Sequence, residues 1–201
     1  SDGASYAVFS FAALVPWTFF SNSLVDSSNS LIQNKHVLDK IYFPRLILPV
    51  SAVMGKFVDF CISFTILIGL LFWFQATPSG GIVILPLLIV LMMMAALGIG
   101  TLLTAFAIQY RDIKYGMNFG VQLFMYASPV VYPASLIPEK YRIFYAINPM
   151  VGVIEGFRSA LLYTNPMPYD FLLVGFLSAF VLLVIGVFYF KKTERHFADV
   201  A

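Results

Sequence analysis

The segment YRDIKYGMNFGVQLFMYASPVVYPASLIPEKYRIFYAINPM, which runs from Tyr110 to Met150, decides the fold of this chain. It begins with a short charged group and continues as an apolar run that contains amide and hydroxyl side chains. Pro129 and Pro133 then break the run, and further charged residues follow. Irregular backbone at membrane depth is tolerated only where protein or a water-filled cavity covers it. The segment therefore predicts a membrane span that ends in a broken excursion, which is typical of a transport path.

Composition places the whole chain in a membrane. Of its 201 residues, 60% are hydrophobic and only 11% are charged, and the mean hydropathy is +0.88. Soluble domains carry roughly 25% charged residues, so a soluble fold of this size would leave much apolar surface uncovered. The small net charge of +2 predicts no nucleic-acid partner. Cys61 is the single cysteine, so we expect neither a disulfide framework nor a metal site.

The apolar stretches predict an all-α polytopic membrane protein that forms a single domain, residues 1–201. A helix rises 1.5 Å per residue, so about 20 apolar residues cross the hydrocarbon core. We predict a connector at residues 35–45, re-entrant helices at residues 134–164 and a polar tail at residues 191–201. The five predicted spans are residues 6–32, 46–74, 81–109, 115–132 and 169–190.

Small residues predict where helices approach one another closely. The GxxxG of Gly116 and Gly120 in the fourth span is a weak signal of the same kind. The third span carries the small residues Ala95, Ala96, Gly98 and Gly100. In the first span the inner half is polar, and we expect it to pack against protein or to line a cavity.

The excursion is expected to contain a helix that is too short to cross the membrane. Asn148 reads as its N-cap and Pro149 as its first residue. At about 14 residues, roughly 21 Å, this helix is re-entrant or interfacial. Glu155 and Arg158 lie one turn apart, on the face away from most of the apolar stripe. An ordinary surface salt bridge is the favoured interpretation, and contact with a polar or anionic substrate is the alternative. The apolar stripe consists of Met150, Ile154, Phe157 and Leu161.

The Lys and Arg residues set the orientation. They concentrate in the connector, in the segment after the third span and in the tail. With five spans, these three segments lie on the same side of the membrane. The positive-inside rule then places the C-terminus in the cytoplasm. Ser1 would lie outside, and because the chain does not begin with Met we expect an upstream portion with at least one more span. The residues counted are Lys35, Lys40, Arg45, Arg111, Lys114, Lys191, Lys192 and Arg195.

Three charged residues fall well inside predicted spans, away from the span ends. Asp26 and Lys56 lie at similar depth on neighbouring antiparallel helices, and Asp59 is one turn beyond Lys56. Intramembrane charges are rare and are usually paired or functional. A neutralised cluster that fixes the helix hairpin is the favoured interpretation. A proton- or ion-coupling site and the lining of a polar cavity remain open.

Motifs of enzymatic sites are not found. The sequence contains no GxSxG, no HExxH, no metal-spaced Cys/His set and no glycine-rich phosphate loop. We therefore expect no catalytic, metal or cofactor site in this chain. The aromatic side chains near the predicted outer end could stack on sugar rings, but interfacial belts and packing use the same residues.

Six short motifs occur in a fixed order. They are VPWTFFSNS at residues 15–23, KIYFPR at 40–45, YRDI at 110–113, SPVVY at 128–132, NPM at 148–150 and YFKKTERHFAD at 189–199. Together they resemble the permease subunits of ABC-2-type polysaccharide exporters, the family of O-antigen, capsule and teichoic acid export. The resemblance covers nearly the whole chain.

The resemblance implies a protein of six spans that works as two copies in the bacterial inner membrane. Two ABC ATPase subunits would dock beneath and bind ATP and Mg²⁺, and the substrate would be a lipid-linked glycan. Residues 134–164 would form periplasmic gate helices. The ATPase contacts would be Val37, Leu38, Asp39, Lys40, Ile41, Tyr42, Phe43, Pro44 and Arg45, with Arg111 and Asp112 as a second contact. The candidate channel and gate residues are Trp17, Phe20, Phe124, Tyr126, Pro129, Tyr132, Tyr145, Glu155 and Arg158.

Other functions remain open at this point. Within the same class, the substrate could be a drug or a lipid. From other classes, an ion-coupled secondary carrier should show internal repeats with matching broken helices, and a membrane-embedded enzyme should show a convergent catalytic pair. The sequence shows one broken region, no clear repeat, and only Lys56 with Asp59 as a poor candidate pair.

Overall fold

The computed structural model describes residues 6–34, 44–75, 79–110, 112–162 and 166–198. These residues form α-helices and short 3₁₀ turns without a strand, so the predicted all-α class is confirmed. The 3₁₀ turns are Gly80–Ile84, Ala134–Leu136 and Glu139–Tyr141. The helices are α1 (Tyr6–Gln33), α2 (Ile47–Trp73), α3 (Leu85–Gln109), α4 (Asp112–Tyr126), α5 (Arg142–Ala146), α6 (Pro149–Leu162) and α7 (Tyr169–Ala198).

Among the residues that the structure describes, four helical segments are long and apolar enough to cross a membrane. They are Tyr6–Gln33, Ile47–Trp73, Gly80–Gln109 and Tyr169–Glu194, and each matches a predicted span. The remaining predicted span, residues 115–132, corresponds to α4, which has 15 residues and ends at Tyr126. Residues 127–130 form turns, because Pro129 and Pro133 cannot continue a helix. A fifth crossing therefore stays a prediction.

The helix α3 lies at the centre of the bundle, where it packs against α1, α6 and α7. Ala95 and Ala96 are fully buried. A Cβ added at Gly98 would lie 2.6 Å from the backbone nitrogen of Leu183, and one at Gly186 would collide with the carbonyl oxygen of Gly98. The two backbones thus touch where side chains are absent, which confirms the close approach predicted for the third span.

The GxxxG prediction is wrong for packing among the described residues. A Cβ at Gly116 or Gly120 would meet no heavy atom within 4 Å. The helix α4 packs through its other side, where Met117 is buried and Phe124 contacts α1. The glycines therefore stand on the exposed face of α4.

The helix α7 extends beyond the predicted end of the last span and continues through Ala198, so the first part of the predicted polar tail is helical. Residues 191–198 contain neither Gly nor Pro to stop it. Phe190 and Thr193 are buried, so protein covers one side of this extension. The chain order places the extension at the same end of the bundle as the C-terminus of α1 and the start of α2. We call this the connector end, and the opposite end, with residues 127–148, the excursion end.

Candidate functional site

The broken backbone at the excursion end is held by one arginine. Arg158 of α6 is 2% exposed. Its Nη1 donates to the carbonyl oxygens of Pro129 at 2.6 Å and Tyr132 at 3.2 Å, and its Nη2 donates to that of Val130 at 2.8 Å. A planar guanidinium suits this task because it presents several donors in a fixed fork. The side chain thereby satisfies carbonyl groups that the proline break leaves outside any helix.

The charge of Arg158 is balanced inside the protein. Its Nη1 lies 3.0 Å from Oε1 of Glu155, and the same carboxylate oxygen accepts the backbone N–H of Ala134 at 3.1 Å. The ring of Phe9 lies 3.8 Å from the guanidinium carbon, a cation–π contact. Glu155 and Arg158 therefore join α1, α6 and both ends of the break.

The surface salt bridge predicted for Glu155 and Arg158 is wrong. Their side chains are 12% and 2% exposed. The helix α6 buries 13 of its 14 residues, so it has no solvated face. In a sequence, a polar pair opposite an apolar stripe indicates a solvent-exposed helix face. Three neighbouring helices, α1, α3 and α7, in fact pack around α6.

Further hydrogen bonds tie the break to the short helices. Asn148 caps α6 as predicted, since its Oδ1 accepts the N–H of Met150 at 3.0 Å, and its Nδ2 donates to Oγ of Ser128 at 2.9 Å. The hydroxyl oxygens of Tyr132 and Tyr145 lie 2.9 Å apart. Burial raises the pKa of Tyr145, with the bond to Tyr132 as a further cause, so its hydroxyl stays protonated near neutral pH.

The structure brings six of the predicted gate residues into one hydrogen-bonded group. The other three, Trp17, Phe20 and Phe124, pack against one another with ring centroids 5.7 to 6.0 Å apart. Trp17 and Phe20 are buried, so their rings pack against protein among the described residues. The six residues of the gate group are Tyr126, Pro129, Tyr132, Tyr145, Glu155 and Arg158.

A cavity of about 440 Å³ lies at the excursion end. Its lining combines Glu155 and Arg158 with Arg142 of α5 and Asp170 in the first turn of α7. Sequence reasoning missed Arg142 and Asp170 as members of this site. Neither carries a local signal, because only the fold brings the segments together.

One side of the polar half of α1 packs against protein, as expected. Ser27 is fully buried. Its hydroxyl donates to the carbonyl oxygen of Pro49 at 3.2 Å, and its own carbonyl accepts from Thr104 at 2.9 Å. Gly100 leaves room for this contact, since a Cβ there would lie 3.0 Å from Oγ of Ser27.

A second side of α1 carries a polar stripe that the described helices leave largely uncovered. Thr18, Asn22 and Gln33 are exposed and Asp26 and Asn29 are half-buried. Their spacing of three and four residues puts them on one face that extends for about 22 Å. The exposed residues of α7 between 173 and 188 are all apolar: Leu173, Phe176, Leu177, Phe180, Val181, Val184, Ile185 and Phe188.

The intramembrane charges pair as predicted. Nζ of Lys56 lies 3.1 Å from Oδ2 of Asp26 and 3.3 Å from Oδ2 of Asp59. The side chains of Asp26, Lys56 and Asp59 are 46%, 27% and 64% exposed. The cluster thus joins α1 to α2 beside the polar stripe.

Pro44, Arg45 and Asp112 are the predicted ATPase contacts that the structure describes, and they lie at the connector end. Residues 37–43 and Arg111 lie outside the described residues. Pro44 and Arg45 precede α2, and Asp112 is an exposed residue in the first turn of α4, where a carboxylate complements the helix dipole. Pro44, Arg45 and Asp112 therefore lie at one end of the bundle.

Comparison with known proteins gives one family and several relatives. The ABC-2 type transporter family matches residues 2–162. The O-antigen export system permease protein RfbA of Klebsiella pneumoniae is 27% identical over 197 residues, 98% of this chain and 76% of the relative. The protein of the same name from Myxococcus xanthus is 25% identical over 198 residues, 97% of this chain and 76% of the relative. The apolar helices, the broken excursion and the family match agree, and the chain belongs to the ABC-2 type transporter family.

Proposed function

We propose that this chain is the permease subunit of an ATP-driven exporter that moves a lipid-linked polysaccharide across the bacterial inner membrane. Two copies form the channel, and two ABC ATPase subunits bind ATP and Mg²⁺ beneath it. The names of the relatives support polysaccharide as the substrate class, since each is an O-antigen export permease. The lipid link, the two copies and the cytoplasmic C-terminus come from the family resemblance and the Lys/Arg distribution.

The polar stripe of α1 is the observation that carries this proposal. An amide or carboxylate that faces lipid without a partner costs roughly 2 kcal/mol or more. In the stripe Asp26 pairs with Lys56, while Thr18, Asn22 and Gln33 are exposed. Exposed polar groups of this kind are stable beside water or another polypeptide rather than beside lipid. The exposed residues of α7 between 173 and 188 are apolar, as lipid contact favours, and we assign this face to the lipid. A hydrated polymer suits the stripe better than an apolar drug or lipid does.

The exposed face of α4 extends the same path. Asn118 and Gln122 are exposed among Gly116, Gly120 and aromatic side chains. Amides bond sugar hydroxyls, aromatic rings stack on sugar faces, and glycines leave room for a bulky chain. We propose that α1 and α4 of both copies line the channel.

In this mechanism the permease performs no covalent chemistry. ATP binding and hydrolysis in the partner favour one of two permease conformations over the other. The contact is made by residues 37–45 with Arg111 and Asp112. The gate group held by Arg158 closes the exit until the partner acts.

Cysteine labelling tests the path. In a Cys61→Ser background, Asn22→Cys in the stripe is compared with the matched control Leu177→Cys on the exposed face of α7. During ATP turnover in the assembled complex, a hydrophilic thiol reagent should modify Asn22→Cys much faster than Leu177→Cys. Added glycan substrate should slow the reaction at position 22 only. Equal rates at the two positions would contradict the proposed path.

A further inference from the structure

The extension of α7 is attached to the ends of the helices at the connector end. Phe190 is buried in an apolar cluster with Leu31 and Ala105. The hydroxyl of Tyr189 donates to Oε1 of Gln109 at 3.1 Å, and Nε2 of Gln109 lies 3.5 Å from the hydroxyl of Thr193. Both apolar and polar contacts therefore fix the extension to the C-terminal ends of α1 and α3.

Glu194 makes the contact that reaches the connector. The N–H groups of Ile47 and Leu48 at the start of α2 bond the carbonyl oxygens of Pro44 and Arg45, and the N-cap position, Leu46, has no side-chain hydrogen bond to the helix. Oε1 of Glu194 accepts the backbone N–H of Arg45 at 3.3 Å. A carboxylate near a helix N-terminus is favoured by the helix dipole as well. A residue 149 positions away thus holds the last residues of the connector.

The other end of α7 contributes to the excursion end. Asp170 and Phe171 line the cavity beside Glu155 and Arg158. A Cβ at Gly152 of α6 would lie 2.7 Å from the carbonyl oxygen of Phe171, so the two helices touch through their backbones. The helix α7 has 30 residues and no proline, and its part between Phe171 and Glu194 is about 35 Å long.

We infer that Glu194 is a positioning residue that fixes the connector to α7, so that movement of the connector at the ATPase is transmitted along α7 to the gate group. The inference rests on the proposed function, because it assumes that an ATPase acts on the connector. Transmission along α7 would be a second route from the connector to the gate group, in addition to the direct covalent link of the connector to α2. Loss of the Glu194 contact leaves the ATPase bound but weakens its effect on the exit.

The test is export per ATP hydrolysed by the complete complex in proteoliposomes. Glu194→Ala should retain ATP hydrolysis while export falls several-fold. Glu194→Gln should restore most export, since an amide oxygen still accepts the N–H of Arg45. Lys191→Ala, on an exposed position of the same extension, is the matched control and should behave as wild type.

A second readout follows the gate directly. In a Cys61→Ser background, labelling of Ser135→Cys, an exposed residue of the excursion, should change between ATP-bound and ATP-free complexes. Glu194→Ala should abolish that change while the melting temperature of the complex stays constant.

Three results would count against these conclusions, and they are distinguishable. Unchanged export per ATP in Glu194→Ala would overturn the inference alone. The inference would also be overturned if Glu194→Ala lost hydrolysis and export equally and had a lower melting temperature, because a merely structural residue gives that pattern. A wild-type complex without ATP-driven export would overturn the proposed function, and the inference with it.

Discussion

At the scale of single residues, Arg158 determines whether the proline break can exist at membrane depth. It bonds three carbonyl oxygens, pairs with Glu155 and stacks on Phe9. The pair holds this conformation of the break by bonding backbone groups at Pro129, Val130, Tyr132 and Ala134. A buried ion pair of this kind gives specificity more than net stability.

Replacing Arg158 should destabilise the protein strongly. Arg158→Leu leaves the Glu155 carboxylate and the carbonyl groups buried without their partner, a loss of about 3–5 kcal/mol in unfolding free energy. Arg158→Lys should also fail, because one ammonium cannot reach both edges of the guanidinium site. Unfolding of the purified protein in mild detergent measures the effect. Arg142→Lys, whose side chain is 41% exposed, is the control and should cost less than about 1 kcal/mol. Wild-type stability of Arg158→Lys would contradict the assignment.

The pair of Asp26 and Lys56 can be tested by a double-mutant cycle. Asp26→Asn should weaken folding less when Lys56→Gln is also present, because the neutral variant has lost the 3.1 Å contact. For a partly exposed pair we expect a coupling of about 0.5–1 kcal/mol. Additive unfolding free energies would show that the two side chains do not interact.

At the scale of the helices, contacts between glycines decide where α3 and α7 cross. Gly98→Ala should destabilise the protein by about 1–3 kcal/mol, because the added methyl would lie 2.6 Å from backbone of α7. Gly116→Ala in α4 is the matched comparison. It meets open space, and alanine is the better helix former, so stability should be kept or slightly raised. Thermal melting of both variants checks this, and the reverse order would refute the packing described.

The sequence predicts most of the long helices, because runs of apolar residues determine the spans. The Asn148 cap and the Asp26–Lys56 pairing were also predictable, since each follows from spacing along a helix or across a hairpin. The burial of Glu155 and Arg158 was not. Their charges indicate a surface unless the partners at residues 129–134 are known, and those partners come from a distant segment. The extension of α7 was missed because its charged residues resembled a solvated tail.

At the scale of the whole molecule, the bundle joins two specialised ends. The connector end carries the proposed ATPase contacts, and the excursion end carries the gate group and the cavity. The helix α7 runs between them, and the polar stripe of α1 runs beside them. The exposed residues of α7 between these ends are apolar.

The connector should be the site of energy coupling. Reversing the charges of Asp39 and Lys40, as Asp39→Lys with Lys40→Asp, should abolish export while the protein still inserts into the membrane. The physical reason is that a surface complementary to the ATPase becomes repulsive. Export of the glycan to the cell surface and membrane levels of the protein are both measured. Unchanged export would remove the connector from the mechanism.

The proposed function requires that this chain exports a polysaccharide using the ATP of a partner. Transport by the purified complex tests this most directly, in proteoliposomes that contain a lipid-linked glycan, with ATP or a non-hydrolysable analogue. We expect the accessibility of the glycan to an added glycosidase to change only when ATP is hydrolysed, and we expect the ATPase to co-purify in near-equal amount. Glycan movement that ignores ATP, or an intact folded protein that binds no ATPase, would contradict the proposed function.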